Sequence, residues 1–321
     1  MDALTVSLLP SCTTCSFLKH FYSQVEMDDT LRIWRNFQLG KLMDLTMLDT
    51  RQYDRSITDL YWNTDYVHKI SNDAGRSMMG SRQENWFYNT LIESKARGAT
   101  WRVIGSQTVF SRINESISYG NVDPLDYDAW DGYQGNRNRT FNVLMSNNIT
   151  NNIVISGDSH ANWVSDLVWL DHANYDSATG KGSIGVEFAG TAVSSQSPYG
   201  QNLSLAQSVN YSTSLIADNQ ELQWSEVYYR GYFELRVSKN QVDAEYFGMP
   251  TIINRNPHEI SLANFTVMKD GNALKRVGGT TAMGGGVENG AVKFGKTIQT
   301  NITNSTDSGL YYISHDNEED L

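Results

Sequence analysis

Residues 152–163 read Asn-Ile-Val-Ile-Ser-Gly-Asp-Ser-His-Ala-Asn-Trp, and they decide the fold class. The first five residues form a compact apolar run with β-branched side chains, which is typical of a buried strand. The run ends at Gly157, and Asp158 and His160 follow at once. Reactive groups in α/β sheets collect just beyond the carboxyl ends of strands. The stretch therefore predicts a buried strand that leads into a polar site.

The residues upstream predict the same strand-and-helix alternation. Residues 41–49 and 101–106 read as two further strands. Between them, Ser81 and Glu84 match a capping box that starts a helix, and Gly98 supplies its stop. A helical stripe at residues 141–145 precedes the strand at 152–156. Strand, helix and strand in this order predict an α/β fold.

Arg51 follows directly after the strand that ends at Asp49. Its planar fork of donors matches phosphate oxygens, which makes Arg51 a candidate catalytic residue. The alternative is a surface ion pair of Arg51 with Asp49 or Asp54, which the local sequence favours.

Asp158 and His160 are candidate metal ligands. They stand two residues apart, so in an extended segment both side chains would leave the same face and converge on one ion. Carboxylate oxygen and imidazole nitrogen are good ligands for iron, manganese or zinc. The alternative is a polar loop with a hydrogen-bonded histidine.

Other carboxylates carry weaker hypotheses. Glu187 ends a predicted strand at 184–188 and could ligate or orient a ligand, although a solvent-facing carboxylate is the favoured interpretation. Asp126, Asp128 and Asp131 could hold calcium, but their spacing differs from an EF-hand and favours a solvated loop.

Composition limits the classes of partner. The 321 residues include 25 Lys and Arg against 36 Asp and Glu, a net charge of −11 that argues against binding a nucleic-acid backbone. No apolar run approaches the roughly 20 residues that cross a bilayer, so no membrane span is expected. The oligomeric state stays open.

The second half of the chain is predicted to be rich in β-structure. Residues 227–238 and 242–247 read as strands joined by a turn at Lys239 and Asn240. Residues 251–321 are rich in Gly, Asn and Thr, which predicts an irregular, β-containing extension. Residues 1–23 show no clear periodicity and differ in pattern from the residues after them.

Asn-x-Ser/Thr sequons are dense, which favours a secreted or cell-wall glycoprotein. The start of the chain lacks a signal-peptide pattern, so a leader lost with missing N-terminal sequence is expected. The alternative is accidental matching in a chain rich in Ser, Thr and Asn. The glycosylation candidates are Asn114, Asn138, Asn148, Asn202, Asn210, Asn264, Asn301 and Asn304.

Five segments together resemble the PhoD-like alkaline phosphatase family and occur in the family's order. They are residues 47–55, 81–86, 130–133, 156–163 and 186–191. The sequons and the Asn/Gly-rich end are similar to the fungal branch. The resemblance assigns residues 24–250 to the C-terminal part of a PhoD-like metallophosphatase domain and leaves residues 1–23 unassigned.

The resemblance implies a two-sheet sandwich flanked by helices that hydrolyses phosphate mono- or diesters. It implies a metal-activated hydroxide or oxide as nucleophile, with iron and calcium expected and other divalent metals possible. Asp158 and His160 match a metal motif of the family, and Arg51 matches the arginine of its Asp-Thr-Arg segment. The substrate class would be a small phosphate ester.

The family's upstream Gly-Asp-Tyr-type and Asp-Asp-His-Glu-type motifs do not occur in this sequence. The expectation is therefore a partial sandwich that lacks its N-terminal half and has impaired activity. The alternative is a non-catalytic secreted glycoprotein fragment, or a cell-wall or sugar-binding module that uses exposed aromatic side chains.

Overall fold

The structure is a computed structural model that describes part of the chain. Backbone and side chains are described for residues 32–116, 125–170, 172, 174–249, 251–253 and 259–282. For strands at 3–8, 287–288, 291–292, 300–304 and 311–315, the backbone alone is described. No helix among these residues is long and apolar enough to span a bilayer.

A seven-stranded sheet forms the centre of the molecule. Its strands are β2 (Arg35–Leu39), β3 (Met43–Met47), β4 (Trp101–Gly105), β5 (Asn152–Ser156), β6 (Asn162–Leu167), β7 (Gly185–Ala189) and β8 (Leu222–Glu226). The first strand of the chain, β1 (Ala3–Leu8), belongs to a second sheet. The order of the seven strands is β2-β3-β4-β5-β7-β6-β8. Strands β3, β4, β5 and β7 run parallel, while β2, β6 and β8 are antiparallel to their neighbours.

The second sheet is antiparallel, with the order β1-β9-β10-β11. Strands β9 (Gly231–Ser238), β10 (Gln241–Gly248) and β11 (Ile260–Met268) follow one another along the chain. Two separate hairpins pair β12 (Val287–Glu288) with β13 (Ala291–Val292), and β14 (Thr300–Asn304) with β15 (Tyr311–His315).

The main apolar core lies between the two sheets. Phe188 of β7 contacts Phe233 and Phe265 of the second sheet, with ring centroids 6.4 and 6.3 Å apart. Buried and partly exposed residues alternate along β9 and β10, as expected for strands with one face on a core. This arrangement confirms the predicted two-sheet α/β fold.

Helices cover the other face of the large sheet. They are α2 (Gly80–Ala96), α3 (Gln134–Ser146) and α4 (Leu205–Asp218), with a 3₁₀ turn at Trp130–Tyr133 before α3. Helix α1 (Thr64–Ile70) instead packs through Val67 against Leu125 and Tyr127. Phe87 of α2 and Phe141 of α3 share a core with Ile104 and Val154 of the sheet. Their strand neighbours Val103 and Ile153 instead face the second sheet. Both faces of β4 and β5 are thus buried, which explains their continuous apolar sequences.

Two predictions of local structure are wrong. Ser81 and Glu84 form no capping box, because α2 begins at Gly80 and its N-cap Met79 has no side-chain cap bond. Glu84 instead accepts hydrogen bonds from Ser77 and Arg139. The strand predicted at 227–238 starts too early, because residues 227–230 lie outside any strand and β9 begins only at Gly231. A Cβ at Gly231 would lie 1.9 Å from the carbonyl oxygen of Phe247.

Strand β11 is longer and more regular than the sequence indicated. It pairs with the whole of β10, from Gln241 opposite Met268 to Gly248 opposite Ile260. Leu262, Phe265 and Val267 are buried against the main core. The irregular extension predicted from residue 251 thus includes a core strand. The boundary of the extension and the separation of residues 1–23 stay predictions.

Candidate active site

The carboxyl ends of β3, β4, β5 and β7 meet at one edge of the large sheet. Met47 pairs with Gly105, Gly105 with Ile155, and Ser156 with Ala189. The loops after these strands carry most of the polar residues predicted from sequence. The edge is therefore the candidate site.

The loop after β3 has a fixed conformation that sets the position of Arg51. Asp49 is buried, and its Oδ1 accepts hydrogen bonds from the backbone nitrogens of Arg51, at 3.1 Å, and Gln52, at 2.8 Å. This side-chain-to-backbone turn directs Arg51 outwards. The Gln83 side chain of α2 donates to the Asp49 carbonyl oxygen, at 2.9 Å, and accepts from its nitrogen, at 2.7 Å.

Arg51 lies between two carboxylates. Its Nη1 is 2.5 Å from Oδ2 of Asp128, and its Nη2 contacts Oδ2 of Asp158. Neither carboxylate is the partner that the local sequence favoured. Asp49 binds the backbone of Arg51 rather than its guanidinium group, and the side chain of Asp54 lies against Gly80. The structure thus brings Arg51 and Asp158 together, although they stand on different strand ends.

Asp128 is held from the opposite side by Arg55 and Thr58. Arg55 Nη2 lies 2.9 Å from Asp128 Oδ1, and the Thr58 hydroxyl donates to the same oxygen. Burial raises the pKa of Asp128, but hydrogen bonds from Thr58 and Arg51 and the charges of Arg55 and Arg51 outweigh burial, so the pKa lies below its usual value. Asp128 is therefore an anion at neutral pH.

Arg55 is in turn fixed by Tyr133, a fully buried residue. Arg55 Nε donates to the Tyr133 hydroxyl at 2.9 Å, and its guanidinium carbon lies 5.1 Å from the ring centroid. The guanidinium carbon of Arg76 also lies over the Tyr133 ring, 4.2 Å from its centroid. Such cation–π contacts restrain both arginines. Two residues of one segment, Arg51 and Arg55, thus bind one carboxylate.

The solvated acidic loop predicted around Asp128 is confirmed for the exposed Asp126 but is wrong for Asp131. Asp131 is buried and lies 2.7 Å from Arg137 Nη1. Its pKa is raised by burial, against the opposing charge of Arg137. Asp126 accepts a hydrogen bond from the backbone nitrogen of Asp128 at 2.9 Å. These carboxylates organise the loop that presents Asp128.

The family model of the PhoD-like phosphatases matches residues 19–246. The chain belongs to this family. It is 31% identical over 258 residues to alkaline phosphatase D of Bacillus subtilis, covering 79% of this chain and 41% of that protein. A solved structure titled "Structure of PhoD" matches with a TM-score of 0.60 and 28% identity, over 79% of this chain and 45% of that one. The chain thus spans less than half the length of both relatives.

The Gly-Asp-Ser-His segment of this family member differs locally from the sequence prediction. Asp158 and His160 have φ angles of +75° and +58°, so the segment is a left-handed turn and the extended, shared-face arrangement is wrong. His160 Nδ1 lies 3.1 Å from the carbonyl oxygen of Gln196, and the His160 carbonyl accepts from the Thr191 hydroxyl at 3.1 Å. The metal role of both residues stays a prediction.

The donor types in this turn fit a metal, but their number does not complete a site. If His160 Nδ1 donates its proton to the Gln196 carbonyl, then Nε2 keeps its lone pair for a metal. The Asp158 side chain is 46% exposed and accessible to an ion. Calcium takes about six to eight oxygen ligands. Among the described residues, however, no three His, Cys, Asp or Glu side chains gather as a metal group would require.

Glu187 is a buried structural residue, so the predicted solvent-facing carboxylate is wrong. It is only 1% exposed. Its carboxylate accepts from the backbone nitrogens of Phe110 and Ser111, both at 2.7 Å, and from the Ser156 hydroxyl at 2.6 Å. Burial raises its pKa, although these hydrogen bonds oppose the shift. Glu187 thereby ties the loop after β4 to the ends of β5 and β7.

The sequons differ in accessibility. Asn148, Asn202 and Asn210 are exposed, whereas Asn114 and Asn264 are half-buried. Asn138 lies inside α3, and Thr140 of its sequon is 1% exposed. Asn138 is thus half-buried, as Asn264 is. Asn301 and Asn304 lie in β14, whose side chains fall outside the described residues.

Proposed function

We propose that the protein hydrolyses phosphate mono- or diesters at this edge of the large sheet, as a phosphoric ester hydrolase of the alkaline phosphatase D type. The observation that carries the proposal is the bridging position of Arg51, between Asp128 and Asp158 at converging strand ends. Membership of the PhoD-like phosphatase family supports it.

In this proposal Arg51 is the catalytic residue that binds the phosphoryl oxygens. Its guanidinium group presents paired N–H donors, which suit the geometry and the charge of a phosphate. Phosphoryl transfer depends on positioning and on neutralising oxygen charge, so a preoriented arginine lowers the barrier. Asp128 keeps one side of Arg51 in place, while the exposed Asp158 side is where a phosphate can approach.

Metal dependence belongs to the same proposal, with Asp158 and His160 as two of the ligands. The metals expected from the family are iron and calcium, and other divalent ions are possible. Bound metal would supply a hydroxide or oxide nucleophile at neutral pH and neutralise phosphoryl charge. The chain's own part is to hold His160 through Gln196 and Thr191 and to orient Arg51 through Asp49.

The number of donors leads us to expect slow turnover from this 321-residue chain. Two ligands hold an ion weakly, because a stable site needs several donors from different elements. The test is to purify the chain and Bacillus subtilis alkaline phosphatase D side by side, with iron and calcium present, and measure hydrolysis of an aryl phosphate. We expect slow, chelator-sensitive turnover from the chain. Equal rates would refute the impairment, and turnover that survives chelation would refute metal dependence.

We also propose secretion or cell-wall attachment and membership of the fungal branch. The exposed sequons at Asn148, Asn202 and Asn210 support secretion. Expression of the protein behind a eukaryotic signal sequence, followed by deglycosylation, tests this. Unchanged electrophoretic mobility after deglycosylation would count against it.

A second candidate function is a non-catalytic glycoprotein fragment or sugar-binding module of a cell wall. It is favoured by the exposed aromatic side chains of Tyr61 and Trp62. Titration with inorganic phosphate and with soluble cell-wall oligosaccharides separates the two. Binding of oligosaccharide without any phosphate binding would favour the second function.

A further inference from the structure

Large apolar side chains are exposed in one short segment beside the candidate site. In residues 57–66 the exposed fractions are 47% for Ile57 and Leu60, 97% for Tyr61, 78% for Trp62 and 55% for Tyr66. Single exposed apolar residues are ordinary, but a contiguous group marks a binding surface. Tyr61 and Trp62, here called the aromatic pair, are its most exposed aromatic members.

The backbone under the aromatic pair is fixed by hydrogen bonds. Buried Asn63 donates to the Thr58 carbonyl oxygen at 3.0 Å and accepts from the Leu60 nitrogen at 2.7 Å. Asp59 Oδ1 accepts from the Tyr61 nitrogen and from the Thr64 hydroxyl, both at 2.8 Å. A rigid turn therefore presents the pair at a defined position, which reduces the entropy lost when a ligand binds.

The Tyr61 backbone lies in an unfavourable region, with φ at +65°. Non-glycine residues with this conformation are uncommon and cluster at functional sites. The turn thus keeps a large aromatic residue both strained and exposed to water. Neither feature helps folding.

The same turn is attached directly to the partners of Arg51. Thr58 donates to Asp128, and Asp128 binds Arg51. Three residues of chain span at most about 11 Å, so the Tyr61 backbone lies within that distance of Thr58. A short stretch of chain therefore connects the aromatic pair to the residues that hold Arg51.

We propose that the aromatic pair binds the organic group of the phosphate ester and selects esters of uncharged, planar, aromatic alcohols. This inference rests on the proposed function. Arg51 takes the charged end of such a substrate, and the rings of Tyr61 and Trp62 stack on its apolar end. The Asp59 carboxylate is engaged by Tyr61 and Thr64, so the exposed rings are the groups of this turn that would meet the organic part of the ester.

The test compares phenylphosphonate with methylphosphonate, which share one anionic group and differ in the aromatic ring. Calorimetry on the 321-residue chain measures both Kd values at a pH where both ligands are dianions. We expect phenylphosphonate to bind about fivefold more tightly, as one aromatic stacking contact provides. In the double variant Tyr61→Ala/Trp62→Ala the preference should fall below about twofold, with methylphosphonate binding unchanged.

Two further variants serve as controls. Trp62→Phe keeps a planar ring and should retain most of the preference, while Ile253→Ala removes an apolar side chain that is 90% exposed elsewhere and should change nothing. Circular dichroism checks that each variant is folded. A phenyl preference that survives in the double variant, or equal binding of both phosphonates by the wild type, would overturn the inference alone. If neither phosphonate binds, the proposed function is overturned together with the inference.

Discussion

The two carboxylates that contact Arg51 are held very differently. Asp128 is bound by Arg55 and Thr58 as well as by Arg51, and Arg55 is itself braced by Tyr133. Asp158 is 46% exposed, sits in a left-handed turn, and is bound by Arg51. One carboxylate belongs to a rigid network, and the other is free to exchange its partner. Arg51 is therefore held firmly on the Asp128 side, whereas its contact with Asp158 can be exchanged for another ligand.

The largest expected effect comes from the Asp158 side. Asp158→Ala or His160→Ala should remove bound metal and most activity while leaving the fold largely intact, because both side chains stand in an accessible turn. Changing groups that only orient metal ligands already costs about 10- to 100-fold in affinity, so loss of a ligand should exceed about 100-fold. Metal analysis after dialysis and a thermal melt measure the two effects.

Glu93→Gln, an exposed change on α2, is the matched control for charge. Undiminished iron and calcium in both Asp158→Ala and His160→Ala would contradict the ligand assignment. Global unfolding of either variant would show that this turn supports the fold, contrary to the proposed difference between Asp158 and Asp128.

Arg51→Ala tests the group that joins the two sides. Turnover of an aryl phosphate should fall about 100-fold, as when one preoriented donor is removed from a charged transition state. Arg51→Lys should recover only part of the loss, because an ammonium group cannot form the paired contact. Equal turnover by Arg51→Ala and wild type would show that Arg51 is only a structural ion-pair partner.

Asp128→Ala tests the Asp128 side. Arg55, Thr58 and Arg51 would all lose an acceptor, so the free energy of unfolding should fall by about 2 kcal/mol. For Asp158→Ala the same denaturant titration should show a smaller loss, since that change removes the contact with Arg51, whereas Asp128→Ala removes contacts with three side chains. If the two variants unfold at the same denaturant concentration, the proposed difference between the carboxylates is wrong.

The smallest expected effect concerns pH. The turn around His160 is supported by Thr191, whose nitrogen donates to Asn162, and Asn162 donates to Glu226. Burial raises the pKa of Glu226 to about 7, against hydrogen bonds from the backbone of Tyr229 and Tyr228. The folded state therefore keeps a proton that the unfolded chain releases near pH 4.5. The resulting stability is complete below that pH and is lost as the pH rises through about 7.

Glutamine does not titrate in this range. Between about pH 6 and 8, the free energy of unfolding of Glu226→Gln should therefore fall by about 1 kcal/mol less than that of the wild type. For Asp128 the pH dependence has the opposite sign, because its pKa is lowered in the folded state. Asp128 therefore stabilises the fold above the usual pKa of an aspartate, and this stabilisation is lost as the pH falls into the acid range. Unfolding titrations at several pH values measure the difference, with Glu93→Gln as control. Parallel pH profiles for wild type and Glu226→Gln would exclude a role for this proton.

Much of the framework could be predicted because its signals are local. Strands β3, β4 and β5 are compact apolar runs, and the carboxyl ends of parallel strands necessarily share an edge. Arg51 and Asp158 were therefore expected at one edge, and the structure brings them into contact. The hairpin between β9 and β10 was likewise visible from its alternation and its turn residues.

The missed features depend on distant parts of the chain. Asp128 is 77 residues from Arg51, and no periodic pattern connects them. Glu187 ends an apolar run and resembled an exposed carboxylate, but the segment at Phe110 and Ser111 folds over it. Strand β8 has a mixed sequence, Leu-Gln-Trp-Ser-Glu, and its burial comes from its neighbours. The left-handed turn has Asp158 and His160, and not glycine, at the positions with positive φ, so the sequence does not indicate a turn of this kind.

The hydrogen bonds between Gln83 and Asp49 link the mobility of two elements. The carboxamide of Gln83 donates to and accepts from one backbone unit, as a facing residue in a sheet would. The loop that carries Arg51 therefore cannot open without breaking contacts made by helix α2. Amides at 50–52 and those in the first turns of α2 should then exchange with solvent as one cooperative unit. Through Gln83, helix α2 would thus determine how long residues 50–52 keep the conformation that positions Arg51.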